Sequence, residues 1–183
     1  LKYADLNGDG RINQDDQTWI MNPVPAFSYG LNVAVSYKNF DLSMFWQGVA
    51  DQDIYNNQKY QTDFWSITDA GSNKGNRMLN AWTSDNTDSS IPALTTNNTA
   101  DEGRVSTYYV ENGSYLKLRT LKLGYNVPEK FISKLKMSSL RAYISGQNLL
   151  TLKSSSLTCS DPENPSWAYP LATSISFGLQ VGF

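Results

Sequence analysis

The sequence predicts an all-β chain of about five antiparallel strands. In the last strand, residues 173–183 (TSISFGLQVGF), every second side chain is apolar and those between are small or polar. A barrel wall between lipid and a wet lumen needs this alternation, and so does a strand of a soluble β-sandwich, so two architectures remain open. Hydrophobic residues make up 40% of the chain, but they are dispersed at period two. They do not form the run of about 20 that a transmembrane helix needs.

The strands follow from the alternation of apolar and polar positions. They are predicted at about residues 26–37, 39–49, 108–125, 139–152 and 172–183. Lys38 and Asn39 separate the first two strands and predict a tight hairpin, with Asn39 at the position that tolerates a positive φ.

The third strand changes parity in the middle. Leu118 lies on one face of a regular strand, whereas Leu121 lies on the other. One explanation is a β-bulge near Arg119 and Thr120. The other is that Arg119 and Lys117 stand above the lipid and only the later half is embedded.

Five segments of the sequence carry a family resemblance. In chain order they are KYADLNGDGRINQDD, PAFSYGLNVAVSYKNFDLSMFWQG, LNAWTSDNTDSSIPAL, YYVENGSYLKLRTLKLGYNVP, and SLRAYISGQNLLTL with the terminal strand after it. Together they resemble the carboxyl-terminal part of the SusC/RagA family, the TonB-dependent outer-membrane importers of Bacteroidetes. The resemblance favours an antiparallel, up-and-down transmembrane β-barrel segment with long extracellular loops. Five strands cannot close such a barrel, so both edges are expected to pair with further strands.

The lengths of the connections fit this topology. Barrels of this kind have short turns on the periplasmic side and long loops outside. If Phe183 lies in the periplasm, residues 38–39 and 126–138 form inner turns. The extracellular residues are then 1–25, 50–107 and 153–171.

The resemblance also implies a function and partners. It implies energy-coupled import of oligosaccharides or peptides, with a SusD-like surface lipoprotein over the barrel and TonB acting through an amino-terminal plug. The chain begins at Leu1 without an initiator Met, so we expect the export signal, the plug and the other strands upstream. The alternative is a secreted calcium-binding β-sandwich module that binds carbohydrate.

Residues 5–16 (DLNGDGRINQDD) follow the pattern of a twelve-residue EF-hand calcium loop. Gly10 at position six permits the sharp turn, and position twelve holds Asp where EF-hands usually have Glu. A turn without an ion is the alternative, because Asn, Asp and Gly also dominate ordinary turns. The predicted role of calcium is structural. Its predicted ligands are Asp5, Asn7, Asp9, the carbonyl of Arg11, and Asp16.

Composition argues against an enzyme and against a nucleic-acid partner. The chain has no histidine, which excludes Ser-His-Asp and Cys-His nucleophiles within it, and its net charge of −2 offers no basic face. We interpret the loop carboxylates as solvated surface groups. They are Asp63, Asp69, Asp85, Asp101, Glu102, Asp161 and Glu163.

Aromatic residues are concentrated in the long loop and at strand ends. In the loop they either stack on sugars or hold the loop together by burying their own surface. Trp65 and Trp82 are the candidates for contact with cargo. We expect another set to form girdles at the membrane interfaces. These are Trp46, Tyr108, Tyr109, Tyr115 and Tyr125.

Overall fold

The computed structural model describes residues 1–64, 73–94, 101–166 and 169–183. The strands are β1 (Phe27–Tyr37), β2 (Phe40–Ala50), β3 (Asp53–Tyr55), β4 (Val110–Asn112), β5 (Tyr115–Asn126), β6 (Ser139–Lys153) and β7 (Ser174–Gly182). Two short α-helices are α1 (Asn57–Asp63) and α2 (Glu129–Ile132). Single 3-10 turns cover Gln14–Asp16, Asn76–Asn80, Thr107–Tyr109 and Ser133–Leu135.

Five strands form one antiparallel sheet in the order β1-β2-β5-β6-β7. This confirms the five predicted strands and their positions. The strand predicted at 108–125 is shorter, because β4 leaves the sheet to pair with β3 in a separate ribbon. Gly113 lies at this break, where its N–H donates to the carbonyl of Gln52 at 2.7 Å. A Cβ on Gly113 would lie 2.5 Å from the Ile54 side chain, so only glycine fits this close approach.

The hairpin between β1 and β2 has the predicted two-residue turn. Tyr37 pairs with Phe40, and the turn residues are Lys38 and Asn39. Lys38 has the positive φ, 54°, whereas Asn39 does not. The turn was therefore predicted correctly and its left-handed residue wrongly.

A bulge in β5 explains the change of parity. Phe45 on β2 pairs with Thr120, but the next residue, Trp46, pairs with Leu118, which leaves Arg119 without a partner in the register. Leu118 thereby reaches the same face as Leu121. The bulge prediction is confirmed, and the alternative is wrong, because Lys117 pairs within the sheet and is 2% exposed.

One face of the sheet is continuously apolar. Cross-strand pairing aligns one residue from each strand: Val35, Leu42, Leu123, Ile144 and Phe177. Leu42 is half-buried and the other four side chains are exposed, Phe177 to 81%. The corresponding row on the opposite face is polar or small: Ala34, Ser43, Lys122, Ser145 and Ser176.

Buried apolar residues lie mainly outside the sheet. Within the described ranges, the cluster of buried apolar side chains consists of Ile54, Leu157 and Cys159, from β3 and the β6–β7 connection. A β-sandwich of this length would bury the apolar face of its main sheet under a second sheet. Here that second layer is missing among the described residues, which argues against the sandwich alternative.

The connections gather at the two ends of the sheet. The two-residue turn and residues 127–138 lie at one end, and the described parts of residues 1–26, 51–114 and 154–173 lie at the other. At the long end, Asp53 donates its N–H to the carbonyl of Asn22 at 2.9 Å, and Ser154 donates to the carbonyl of Ser114 at 3.0 Å. The amino terminus of Leu1 lies 3.4 Å from the carboxylate of Glu102. In the part of the chain that is described, no helix is long and apolar enough to cross a membrane.

Candidate functional site

The loop of residues 5–16 turns around the carboxylate of Asp5. One oxygen of that carboxylate accepts the N–H of Gly8 at 2.6 Å, and the other accepts the N–H of Gly10 at 2.7 Å. Both glycines have positive φ, 77° and 79°, which side-chain-bearing residues rarely adopt. Asp9 accepts the N–H of Arg11 at 2.8 Å. The carboxylate oxygens of Asp5 and Asp9 therefore stabilise the turn by accepting hydrogen bonds from its backbone N–H groups.

Asp16 closes the loop. Its two carboxylate oxygens accept the N–H groups of Leu6 and Asn13, each at 2.8 Å. These backbone donors hold the pKa of the Asp16 carboxyl below its ordinary value, Asn13 contributing most. Asn13 in turn accepts the N–H of Asp15 at 2.6 Å, so the last turn is capped in both directions.

The oxygen donors suit a hard cation chemically, since carboxylate, amide and carbonyl oxygens are the ligands that calcium takes. Among the described residues, no three Asp, Glu, His or Cys side chains come together as a metal-holding group. Calcium and its ligands Asp5, Asn7, Asp9, Arg11 and Asp16 stay a prediction.

The aromatic residues of the long loop pack against one another. The ring centroids of Tyr55 and Tyr60 lie 5.7 and 5.4 Å from that of Tyr109, and the Tyr108 ring meets Tyr109 edge-on at 5.0 Å. Tyr109 is fully buried. Tyr108 and Tyr109 therefore stabilise the loop, and their assignment to a membrane girdle was wrong. Tyr115 was also assigned wrongly, because it is 7% exposed and donates to Glu163.

The two tryptophan candidates remain predictions. Trp82 is 44% exposed, and its backbone N–H donates to the carbonyl of Ile91 at 2.8 Å. It directly precedes the small turn that Thr83 and Asn86 close. Trp65 lies outside the described residues.

A buried polar cluster surrounds Asp63 at the end of α1. Tyr108 donates its hydroxyl to Asp63 at 2.7 Å, and the guanidinium of Arg77 lies 3.5 Å from the same carboxylate. Burial raises the pKa of Asp63, although Tyr108 and Arg77 oppose the shift. Burial also raises the pKa of Tyr108, with Asp63 adding to it. Asp63 is fully buried, so its interpretation as a solvated carboxylate was wrong.

A second cluster joins the β6–β7 connection to the polar face of the sheet. The ammonium of Lys117 lies 2.7 Å from both Asp161 and Glu163, and Glu163 also pairs with Arg119. Burial acts to raise the pKa of both carboxyls. The hydrogen bonds from Lys117 and its neighbours outweigh burial and lower both pKa values.

The arrangement of the second cluster argues against a catalytic pair of carboxylates. Asp161 and Glu163 are close in space, but Lys117 pairs with both carboxylates and Arg119 pairs with Glu163 as well. A glycosidase needs one carboxyl that holds a proton while its partner is ionised, and the shared ammonium favours ionisation of both. These carboxylates therefore fix the connection in place. Residue pairs 44 and 46 positions apart form the cluster, and no local sequence signal indicates them.

Comparisons with known proteins show which proteins this chain is similar to. No family model matches the chain. It is 38% identical to TonB-dependent receptor P3 of Formosa agariphila over 81% of this chain and 14% of the receptor. It is 28% identical to TonB-dependent receptor SusC of Bacteroides thetaiotaomicron over 99% of this chain and 17% of SusC. The solved RagAB peptide importer in its open-open state matches with a TM-score of 0.76 and 27% identity, over 94% of this chain and 19% of that chain.

Over most of its length, the chain is similar to TonB-dependent receptors, SusC among them, and to the RagAB peptide importer. It spans less than a fifth of the length of these relatives, so it corresponds to a segment of such a receptor. The five-stranded sheet is accordingly a segment of a transmembrane barrel wall. The relatives are receptors and importers by name, which agrees with the prediction that the chain is not an enzyme.

Proposed function

We propose that this SusC/RagA-type segment forms part of the wall and the outer loops of a TonB-dependent importer in the outer membrane. The supporting observation is the continuous apolar face, exposed on a sheet whose edge strands β1 and β7 are both unpaired among the described residues. Such a face is stable in lipid, and such edges need neighbouring strands. The similarity to named receptors and to a peptide importer supports the same role.

The short-turn end lies in the periplasm and the long connections lie outside the cell. This assignment follows the usual asymmetry of outer-membrane barrels, which have short periplasmic turns and longer extracellular loops. It places residues 1–25, 50–107 and 153–171 on the extracellular side. Hydrogen bonds and one ion pair between the described parts of these segments support a shared environment.

The cargo is an oligosaccharide or a peptide, and a SusD-like surface lipoprotein works with the barrel. TonB supplies energy through a plug that belongs to the remainder of the receptor. The peptide alternative is supported by the similarity to the RagAB peptide importer, and the resemblance of the five sequence segments to the SusC/RagA family implies either cargo. Uptake of labelled maltooligosaccharides and of labelled peptides by cells that carry the full-length protein would distinguish the two.

Calcium orders the extracellular loop of residues 5–16. Asp5, Asn7, Asp9 and Asp16 supply side-chain oxygens and Arg11 a backbone carbonyl, a donor set that suits calcium. The two glycines at positive φ and the inward carboxylate of Asp5 support this assignment. The role is structural, because calcium would offset the repulsion among clustered carboxylates in the ordered turn.

The lipid-facing assignment is tested by paired arginine substitutions in β7. Leu179 is 73% exposed on the apolar face, and Gln180 is its neighbour on the opposite face. In the full-length protein, Leu179→Arg should destabilise the barrel by about 2 to 4 kcal/mol, the cost of Arg at the bilayer midplane. Gln180→Arg should cost far less. Heat-modifiability on gels measures folded barrel in outer-membrane fractions, and equal losses in both variants would contradict the assignment.

A further inference from the structure

The apolar face contains a hollow of about 690 Å³ close to the short-turn end of the sheet. Its floor is Ala142, the small member of a cross-strand row that also holds Phe40, Tyr125 and Leu179. The rings of Phe40 and Tyr125 lie 4.7 Å apart on one side, and Phe177 lines the other side. The hollow is therefore an open depression with apolar walls, which suits a hydrocarbon chain chemically.

Basic residues are concentrated in the two connections next to this hollow. They hold four lysines and a single acidic residue, Glu129, in a chain whose net charge is −2. All four lysines are exposed, and within the described ranges none forms an ion pair. They are Lys38, Lys130, Lys134 and Lys136.

Two of these lysines lie beside exposed aromatic rings at the end of the sheet. The Lys38 ammonium lies 5.3 Å from the ring centroid of Tyr37, and that of Lys130 lies 4.9 Å from the ring centroid of Phe131. Both rings are more than 60% exposed. Aromatic rings and lysines together characterise the boundary between hydrocarbon and headgroups.

We propose that the Ala142 hollow and this lysine rim bind an anionic phospholipid of the periplasmic leaflet. One acyl chain lies over Ala142, and the phosphate meets the lysines. The charge complementarity selects an anionic headgroup, because lysines close to a membrane surface attract anionic lipids. This inference rests on the proposed function, which places the apolar face in lipid and the short turns in the periplasm.

The probe is phosphatidylglycerol, compared with phosphatidylethanolamine of the same acyl chains. The full-length protein is purified in detergent with equal amounts of both lipids, and native mass spectrometry counts the lipids that it retains. We expect several-fold preferential retention of phosphatidylglycerol by the wild type. Lys130→Gln, Lys134→Gln and Lys136→Gln combined should abolish the preference, and Ala142→Phe should reduce retention of both lipids by filling the hollow.

Two matched controls separate the site from general effects. Lys2→Gln removes an exposed lysine at the opposite end of the sheet, and Leu31→Phe adds an aromatic ring to the same apolar face far from the hollow. Neither should change retention. If Ala142→Phe does not assemble, the lysine variant still decides, because its substitutions lie in a connection outside the sheet.

Three results would overturn the proposal: equal retention of the two lipids by the wild type, an unchanged preference in the lysine variant, or retention of lipopolysaccharide in place of phospholipid. These results are distinct from failure of the proposed function. If Leu179→Arg and Gln180→Arg assemble equally well, the lipid-facing assignment itself fails. If assembly and uptake are normal but the lipid preference is absent, only the lipid site fails.

Discussion

Lys117→Met removes the cation that two loop carboxylates share. The lysine side chain is 2% exposed, and its ammonium lies 2.7 Å from both Asp161 and Glu163. Methionine keeps most of the side-chain volume, so the main loss is electrostatic. Removing one partner of a buried ion pair costs about 3 to 5 kcal/mol, because the other charge is left uncompensated. We expect the lower limit, about 3 kcal/mol, because Arg119 still pairs with Glu163.

The loss should appear as local opening of the β6–β7 connection. The backbone hydrogen bonds between the strands remain in this variant. The β6–β7 connection, in contrast, is held against the polar face of the sheet by the Lys117 contact. A cost of about 3 kcal/mol corresponds to roughly 100-fold faster amide exchange where the opening equilibrium determines the exchange rate. Hydrogen-exchange mass spectrometry of the full-length protein in detergent would measure it over residues 157–164.

The matched control is Lys122→Met. Lys122 is also on β5 and on the polar face, and its ammonium lies 4.3 Å from the ring centroid of Tyr143. It should leave exchange over residues 157–164 unchanged. Adding Asp161→Asn to Lys117→Met should recover part of the loss, because Glu163 keeps its ion pair with Arg119 and the buried side chain of residue 161 is then no longer charged. Equal exchange in the two lysine variants would refute the reasoning.

Two further predictions concern the acidic residues of the outer loops. Asp9→Ala should weaken calcium binding to the full-length protein strongly, whereas Asp15→Ala, at a non-ligand position, should do little; equal binding by calorimetry, or none in the wild type, would show that the loop is only a turn. Lowered pKa values of Asp161 and Glu163 in the folded connection mean that the opened form binds more protons in acid. The connection should therefore be fully stable above the ordinary carboxyl range and open progressively as the pH falls below it. Amide exchange corrected for its intrinsic pH dependence measures this, and a pH-independent opening constant would contradict it.

The sheet could be predicted from the sequence because its determinants are local. Alternation at period two depends only on neighbouring residues, and the bulge at Arg119 follows from a change of parity that is visible in the sequence. The hairpin was predicted for the same reason. The choice of Lys38 over Asn39 for the positive φ was not predictable, because the twist of the paired strands decides it.

The loop clusters could not be predicted, because they depend on contacts between distant parts of the chain. Asp63 meets Tyr108 across 45 positions, and Lys117 meets Asp161 across 44. A carboxylate in a loop is usually solvated, and only the folded arrangement shows that these two are buried. The loop of residues 5–16 differs from these clusters, because its predicted calcium ligands lie within twelve consecutive residues. Its pattern can therefore be recognised in the sequence, and calcium binding stays a prediction.

The two halves of this chain are stabilised in different ways, and the difference follows from their surroundings. The sheet exposes its apolar face, so its stability depends on lipid and on strands beyond its two edges. The described parts of the outer loops bury apolar side chains such as Tyr109 and Leu157, and buried hydrogen bonds and ion pairs around Asp63 and Lys117 join distant parts of these loops. Such networks contribute little net stability compared with apolar packing. They nevertheless disfavour other loop conformations, because a conformation that separates the partners leaves a buried charge unpaired. We infer that the ion pairs determine which loop conformation forms, while the lipid-embedded sheet determines whether the segment is folded at all.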